Sequence, residues 1–402
     1  MSGHHGVWLR WIVRGLRKDG NIVTVATLAT SRQHPIVAEI EAEADVNVRL
    51  LYFPWRSRDA KLSKLFRLSI NEIRYWRLYR TMFIKARRSA FIDAVFLPYL
   101  DYCTNAISLF GSPFSDTPWS AVIMRPAFHH RAIKASVKSR CLDAVKELLF
   151  FRLLLHRTLL AVFALDELLV VYVGEKSEQR AKRLEYLADP VEISRTVTKE
   201  EARKLYRIPD EAFVVLVYGA LSLRKGIDTL LEAIKSERIP KKLHLLLVGE
   251  QDHDVKTLLG AVNPLIGQRI HQFDSYVSAE EEYAAFMSAD YVWMGYRNHL
   301  QMSAVLVQAG KIGVPIIACA DGLIGKLTQK YGNGVVLPAR DNSSVVKTLL
   351  DIIDSPDKVS GFMENGKRAY EKHDVDNAVA SIIRVLRSQS VDRDLHCNSA
   401  SS

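Results

Sequence analysis

Phe213-Val214-Val215-Leu216-Val217-Tyr218-Gly219-Ala220-Leu221-Ser222-Leu223-Arg224-Lys225-Gly226 decides the fold of this chain. Its uninterrupted apolar run reads as a strand buried on both faces. Gly219 ends that strand, and Arg224-Lys225-Gly226 leads into a helix with apolar residues at Ile227, Leu230, Leu231 and Ile234. A strand, a short cationic loop and a helix N-terminus converge on a place for an anion, because backbone N–H groups and the positive end of the helix dipole point at it. A diphosphate is the natural guest. The competing reading is an ordinary strand-to-helix loop with solvated cations.

The pattern repeats on both sides of this stretch. Strands are predicted at Phe213–Tyr218, Leu243–Val248, Ile270–Phe273, Tyr291–Met294, Pro315–Cys319 and Val335–Leu337. Helices fit between them at Ile227–Lys235, Val255–Ala261, Ala279–Met287, Met302–Ile312, Ile324–Tyr331 and Ser343–Ile353. Regular alternation of this kind predicts an α/β fold with a parallel, doubly wound sheet. The first half is less regular. It offers a helix over Val7–Arg17 and strands at Ile22–Thr27, Val46–Phe53, Ala94–Leu97 and Ser120–Met124, again as α/β units. The apolar run Leu148–Val173 is broken by Arg152, His156, Arg157 and Asp166-Glu167. It falls short of the roughly 20 residues a membrane span needs, and reads as a buried helix followed by a strand at Leu168–Val173.

These elements predict two domains facing across a cleft: residues 1–190, a linker over 191–211, and residues 212–370. A C-terminal helix at 371–388 and a disordered polar tail at 389–402 complete the chain. The loop-like Gly3-His4-His5-Gly6 stands at the start with no buried strand before it. That predicts either a domain lacking its first strand or an apolar run of about 4–8 residues encoded upstream.

Composition narrows the function. At 402 residues the chain can hold two full cores, and its 48% apolar content is ordinary for a globular protein. The four cysteines are scattered without ligand spacing, which points to a reducing compartment and away from a structural zinc site. No signal peptide is visible, so a cytoplasmic location is expected. The net charge of +10 belongs to the first half: residues 1–195 hold 30 Lys/Arg and 19 Asp/Glu (30 − 19 = +11), leaving 25 against 26 (−1) in the rest. The densest block runs from Arg56 to Arg88, opposed only by Asp59 and Glu72. Apolar residues such as Leu62, Ile73, Trp76 and Phe83 are interleaved at helical spacing. Residues 56–88 therefore suit a peripheral contact with an anionic membrane surface; a solvated face over a packed core is the alternative. No nucleic-acid recognition motif is present.

The second half resembles the donor-binding domain of glycosyltransferase family 4-like enzymes, which have two Rossmann-like domains (the GT-B fold). The resemblance runs from about Phe213 to Asp351. It rests on Gly219…Lys225-Gly226, Leu247-Val248-Gly249-Glu250, Ser288-Ala289-Asp290, Ala309…Gly313-Val314-Pro315-Ile316-Ile317-Ala318 and Gly332-Asn333-Gly334-Val335-Val336. The first half matches more weakly, through Gly3-His4-His5 and Leu187-Ala188-Asp189-Pro190-Val191.

The resemblance implies a sugar transferase that uses a nucleotide-diphosphate donor as co-substrate, with no cofactor and no metal. Its phosphate-binding Lys falls on Lys225. The partner Arg falls on Ala220, and Arg224 stands nearby in its place. The paired donor-site Glu residues fall on Leu300 and Gln308, so this is a variant lacking that pair. The loop Tyr296–Ser303 remains polar, with His299, Gln301 and Ser303 as candidates for diphosphate or sugar contact and His299 as a candidate catalytic group; Ser303 as a plain helix cap is the alternative. Gly219, Glu250 and Tyr276 complete the donor-side set. On the acceptor side stand Gly3, His4, His5, Arg125 and His129, with Asp101 as a candidate acid/base or sugar contact or else a turn cap. Adjacent His129-His130 shows no third-ligand spacing, so no metal is read there. Asp252-His253-Asp254 and Asp392-Arg393-Asp394 lie in the wrong context for metal. The expected activity is transfer to a glycan or lipid-linked acceptor, with retention of configuration implied by the family. The alternative is a non-catalytic scaffold that binds a nucleotide or glycan.

Overall fold

The computed structural model describes residues 4–54, 64–133, 137–194 and 197–399. It divides into two compact units, Met1–Ala188 with Val375–Ser402, and Asp189–Asp374.

The first unit begins with α1 (His4–Lys18), β1 (Val23–Leu28), α2 (Pro35–Ala42), β2 (Val48–Phe53) and α3 (Lys64–Ser89). Next come β3 (Val95–Leu97), α4 (Thr104–Phe110), β4 (Trp119–Ile123), α5 (Val137–Leu153), β5 (Leu159–Ala164), α6 (Glu167–Lys176), α7 (Glu178–Ala181) and β6 (Leu184–Tyr186). β1 and β2 pair in parallel as their own two-stranded sheet, in register from Val23↔Val48 to Leu28↔Phe53. β3-β4-β5-β6 form a parallel sheet whose core gathers Trp119, Phe150, Leu153, Leu159 and Leu169.

Two expectations are corrected here. Leu168–Val173 is not a strand; it lies inside α6, and the buried strand of that region is β5. Asp166 caps the helix by accepting the Leu168 N–H at 2.9 Å. Leu169 and Val173, four apart, are fully buried while Val171 is 54% exposed, which is the helical period. The start is also not a loop: α1 opens at His4, so His4, His5 and Gly6 are helical. Gly3 lies outside the described residues.

α3 carries the basic block, of which residues 56–63 lie outside the described residues. Its apolar side is committed to the core through Tyr75, Trp76, Tyr79 and Phe83. The Trp76 indole donates to the Gly111 carbonyl at 2.8 Å. Glu72 accepts from the Asn105 and Ala106 backbone at 2.8 and 3.2 Å, capping the first turn of α4. Arg77, Arg80, Lys85, Arg87 and Arg88 remain exposed.

The second unit opens with α8 (Lys199–Leu205), inside the stretch expected to be a linker and closed by a Thr198/Glu201 capping box. It continues with β7 (Phe213–Tyr218), α9 (Ile227–Ile234), β8 (Leu243–Val248), α10 (His253–Gly260), β9 (Ile270–Phe273), α11 (Ala279–Ser288) and β10 (Tyr291–Met294). Then follow α12 (Ala304–Ile312), β11 (Ile316–Cys319), α13 (Leu323–Tyr331), β12 (Gly334–Leu337), α14 (Asn342–Ile353) and α15 (Asp357–Ala369). The six strands are parallel in the order β12-β11-β10-β7-β8-β9. Counted from β7, that is the doubly wound order 3-2-1-4-5-6, with its switch point between β7 and β10. The final helix α16 (Val375–Ser399) belongs to the first unit and continues past Ser388, where a disordered tail was expected. Val379 of α16 fills the space over Gly15 of α1, and Arg387 pairs with Asp19 at 2.7 Å.

Among the described residues no helix is long and apolar enough to cross a membrane.

Candidate functional site

In a doubly wound sheet, ligands bind beyond the carboxyl ends of the strands at the switch point. Here the loops leaving β7 and β10 meet at that point. Gly226 has φ +71°, and a Cβ on it would lie 2.4 Å from the Gly295 carbonyl oxygen, so the two loops touch backbone to backbone. Three hydrogen bonds stitch them together. The Trp293 indole donates to the Lys225 carbonyl at 2.9 Å, the Arg297 N–H to the Arg224 carbonyl at 2.7 Å, and the Lys225 ammonium to the Tyr296 hydroxyl at 2.8 Å.

Lys225 is only 4% exposed. Its ammonium also donates to the Tyr218 carbonyl at 2.5 Å. An ammonium has three donors, so two hold the side chain and one is left for a ligand. Gly219, at φ +90°, sits beside it: a Cβ there would be 3.5 Å from the Lys225 Nζ.

Arg224 donates to His299 Nδ1 at 2.8 Å. That bond places the imidazole proton on Nε2, which makes no well-formed hydrogen bond among the described residues beyond a weak interaction of the ring with the Met302 backbone. Burial, with the Arg224 and Lys225 charges beside it, holds the His299 pKa down at about 4; the Met302 backbone pulls weakly the other way. At neutral pH His299 is therefore a neutral donor. It lies five residues before Ala304, the first residue of α12. Ser303 is the N-cap of that helix, yet its side chain makes no capping bond. Its hydroxyl and the orphan N–H groups of the first turn point to the same end of the helix. Leu300, Gln301 and Ser303 are half-buried at this turn, and Gln308 is buried one helical turn on. The Arg340–Asp321 ion pair at 2.5 Å backs the loop, and Arg340 also donates to the Tyr296 carbonyl at 2.7 Å.

Glu250 is exposed after β8, and its carbonyl accepts the Leu221 N–H at 2.7 Å. Tyr276 is 90% exposed. Both belong to the same unit as Lys225. Asp252 caps α10 by accepting the Val255 N–H at 2.9 Å, which accounts for it without a metal.

In the first unit the carboxylate of Asp101 is taken up by backbone. It accepts from the Met124 N–H at 2.9 Å and the Arg125 N–H at 2.7 Å, fixing the loop after β4. Burial raises its pKa against the pull of these bonds. The acid/base role expected of Asp101 thus gives way to a positioning role. Arg125 is exposed on the same loop. His129 and His130 both contact Asp166, at 2.6 and 2.9 Å, so a third polar partner does exist; it comes from the turn after β5 and is invisible to local spacing. Burial works against ionisation of Asp166, but the bonds from His129 and His130 outweigh it and hold its pKa at about 2.

Residues 198–369 match the family model described as glycosyl transferases group 1. That match covers less than half of the chain. No curated protein matches the sequence. Among solved structures the chain is similar to sucrose-phosphate synthase from Thermosynechococcus elongatus, at 16% identity and a TM-score of 0.72, covering 97% of this chain and 94% of that one. It is also similar to WaaG, a glycosyltransferase involved in lipopolysaccharide biosynthesis, at 14% identity and a TM-score of 0.64, with 94% and 95% covered. HepE from Anabaena, solved in complex with UDP, matches at 15% identity and a TM-score of 0.64, with 96% and 97% covered. At these identities the likeness establishes the fold, which is that of the GT-B glycosyltransferases.

Within the matched residues, the markers separate into two kinds. Asp290 is architectural: it accepts the Val214 N–H at 2.7 Å and pairs with Lys199 at 2.6 Å and Arg203 at 3.1 Å, tying α8 to the start of β7. Lys225, Arg224 and His299 are gathered at the switch point. Sequence reasoning gave no role to Tyr296, which links Lys225 to the β10 loop, or to Arg340, which braces it. Their only signal was Tyr296's place in the polar loop.

Proposed function

We propose that the protein transfers a sugar from a nucleotide-diphosphate donor to a glycan or lipid-linked acceptor. The observation that carries this reading is the buried Lys225 ammonium at the switch point, two of its donors fixed and the third left over, with the Arg224–His299 pair beside it. HepE has been solved with UDP and with UDP-glucose, which supports a nucleotide sugar as the donor.

In the reaction, the bond from the sugar anomeric carbon to the diphosphate oxygen breaks and a bond to the acceptor oxygen forms. The nucleoside diphosphate leaves with the electron pair, and its freed oxygen takes up the proton that the acceptor hydroxyl loses. Lys225, Arg224 and the N-terminus of α12 meet the negative charge that develops on the leaving group. His299 Nε2–H adds a neutral donor. Gln308 hydrogen-bonds a ribose hydroxyl in place of a carboxylate, while Glu250 and Tyr276 approach the nucleoside. Arg125 and His129 belong to the acceptor side, and retention of configuration follows the family.

The absence of carboxylates at Leu300 and Gln308 favours a second reading, a nucleotide- or glycan-binding scaffold without turnover. A panel of nucleotide sugars separates the two. Release of nucleoside diphosphate with any acceptor or water supports the enzyme. Nucleotide binding without turnover across the panel supports the scaffold. Failure of UDP, GDP and ADP to bind at millimolar concentration removes the support for a donor site at Lys225 and leaves only a glycan-binding scaffold.

A further inference from the structure

We propose that His129, His130 and Asp166 form a binding site for a divalent transition metal, with Zn²⁺ the best-matched ion.

Neighbouring residues rarely present two side chains to one point. They diverge by about 100° on an α-helix and face opposite sides of a strand. Here a 3₁₀ stretch over Phe128–Ile133 is interrupted at His130, whose φ of −90° and ψ of 23° are not helical. That kink brings the two imidazole rings to 3.9 Å between centroids. Asp166 Oδ2 lies 2.6 Å from His129 Nε2 and 2.9 Å from His130 Nε2, and the three ligating atoms fall within 4.8 Å of one another. All three side chains are at most 2% exposed.

The donor set is two imidazole nitrogens and one carboxylate, the combination that suits Zn²⁺ with one coordination position left over. Tetrahedral bonds of about 2.0–2.1 Å separate ligand atoms by about 3.3 Å, so the two carboxylate–imidazole distances need open by less than about 1 Å. The outer shell is in place on the carboxylate side. Asp166 Oδ1 accepts the Leu168 N–H at 2.9 Å, which aims Oδ2 at the histidines, and Phe128 and Tyr172 pack against the His129 ring at 5.6 and 6.0 Å. On binding, each neutral imidazole carries its proton on Nδ1 instead of Nε2, and its freed lone pair takes the metal. The ion joins the loop after β4 to the start of α6.

The test uses the full chain, stripped with a chelator and dialysed. Zn²⁺ titrated by calorimetry should bind in a 1:1 ratio and raise Tm by several degrees, and Co²⁺ should give a visible d–d absorption band. His130→Ala and His129→Gln should each weaken Zn²⁺ by about a hundredfold or more, since even outer-shell changes cost 10- to 100-fold. UDP binding should be unchanged in His130→Ala. No stoichiometric Zn²⁺ binding by the wild-type chain overturns the proposal, whatever the variants do. So does Zn²⁺ binding that survives in both folded variants, because the ion is then elsewhere.

Discussion

The Lys225 ammonium donates to the Tyr296 hydroxyl at 2.8 Å, and through that bond the loop after β7 is locked to the loop after β10. The pairing pre-orients the one ammonium donor that remains. Lys225→Ala should lower affinity for a nucleoside diphosphate by about ten- to a hundredfold, the worth of a charge-assisted hydrogen bond of roughly 1.5–3 kcal/mol. Tyr296→Phe keeps the charge and loses only its tether, so a loss of about fivefold is expected. Calorimetry with UDP, GDP and ADP measures both. Equal binding by Lys225→Ala and wild type would remove the diphosphate from this site.

Arg224 and His299 make a second prediction. With Arg224 donating to Nδ1, His299 titrates at about 4. Arg224→Ala removes the adjacent cation, so the His299 pKa should move up toward the ordinary value of about 6.5. Proton NMR of the imidazole across pH 3.5–8 reads the shift directly. An unchanged midpoint in the variant would show that burial alone sets it. Ser303→Ala should weaken the diphosphate more than the free nucleoside, because the hydroxyl sits at the phosphate end of α12.

Asp101 should behave as a brace. Both of its carboxylate oxygens accept backbone N–H groups, and an amide offers only one acceptor. Asp101→Asn should therefore destabilise the fold by about 1–3 kcal/mol, the cost of stranding a buried donor. The shape of any pH–rate profile should stay the same. Urea unfolding and a profile of the variant check the two halves separately. Loss of one limb of the profile with full stability would restore a proton-transfer role.

The second unit was readable because most of its strands are largely apolar runs bounded by turn residues. Leu243–Val248, every residue buried, reads as a parallel strand from sequence alone. The same feature misleads at Leu168–Val173, where six apolar residues belong to a buried helix; an apolar run this short fits either element. What settles it is Asp166 as a cap, a hydrogen bond rather than a pattern. α15 was missed because Gly361 and Gly366 weaken its helical signal, although Gly366 is there to let the helix approach Gly310 of α12. In the candidate site, Lys225 was legible because it is next to its own helix. Tyr296 is 71 residues away from Lys225, and Asp166 is 37 from His129. Such partners are set by the sheet order, which no local spacing encodes.

α3 offers a surface test. Among the described side chains of this helix, Trp76, Tyr79 and Phe83 are committed to the core, and Arg77, Arg80, Lys85, Arg87 and Arg88 face solvent beside a single exposed large apolar residue, Ile84. Binding to anionic vesicles should therefore be electrostatic and fall as salt is raised from 50 to 500 mM, since the screening length is only about 10 Å at 0.1 M. Reversal of Arg77, Arg87 and Arg88 to Glu should abolish it and leave the thermal melt unchanged. Cosedimentation with neutral and anionic vesicles is the measurement. Equal binding to both would refute a charge-driven contact.

The buried pair His244 and His271 predicts how the second unit responds to acid. They sit on adjacent strands β8 and β9, with His244 Nδ1 2.9 Å from His271 Nε2, and the rings stack. Such a bond needs one nitrogen with a proton and one without. Burial, then the neighbouring His271 and Arg269, bring the His244 pKa down to about 4, and burial lowers that of His271 as well; Glu211 opposes the shift at His244 and Arg203 adds to it. In the unfolded chain a histidine titrates near 6.5. Between those values the unfolded state binds the extra proton, so stability rises with pH. The contribution is complete above about pH 6.5 and is lost progressively as pH falls toward 4. For His244 alone the loss is on the order of 2–3 kcal/mol, at 1.36 kcal/mol per pKa unit with some allowance for solvent screening. Urea unfolding at pH 7.5, 6.0 and 5.0 should show it as a falling midpoint. His244→Gln keeps a hydrogen-bonding group that does not titrate, and should flatten the slope over this window. A wild-type midpoint that stays constant from pH 7.5 to 5.0 would mean that the pair accepts a proton without strain, and that burial does not hold these imidazoles neutral.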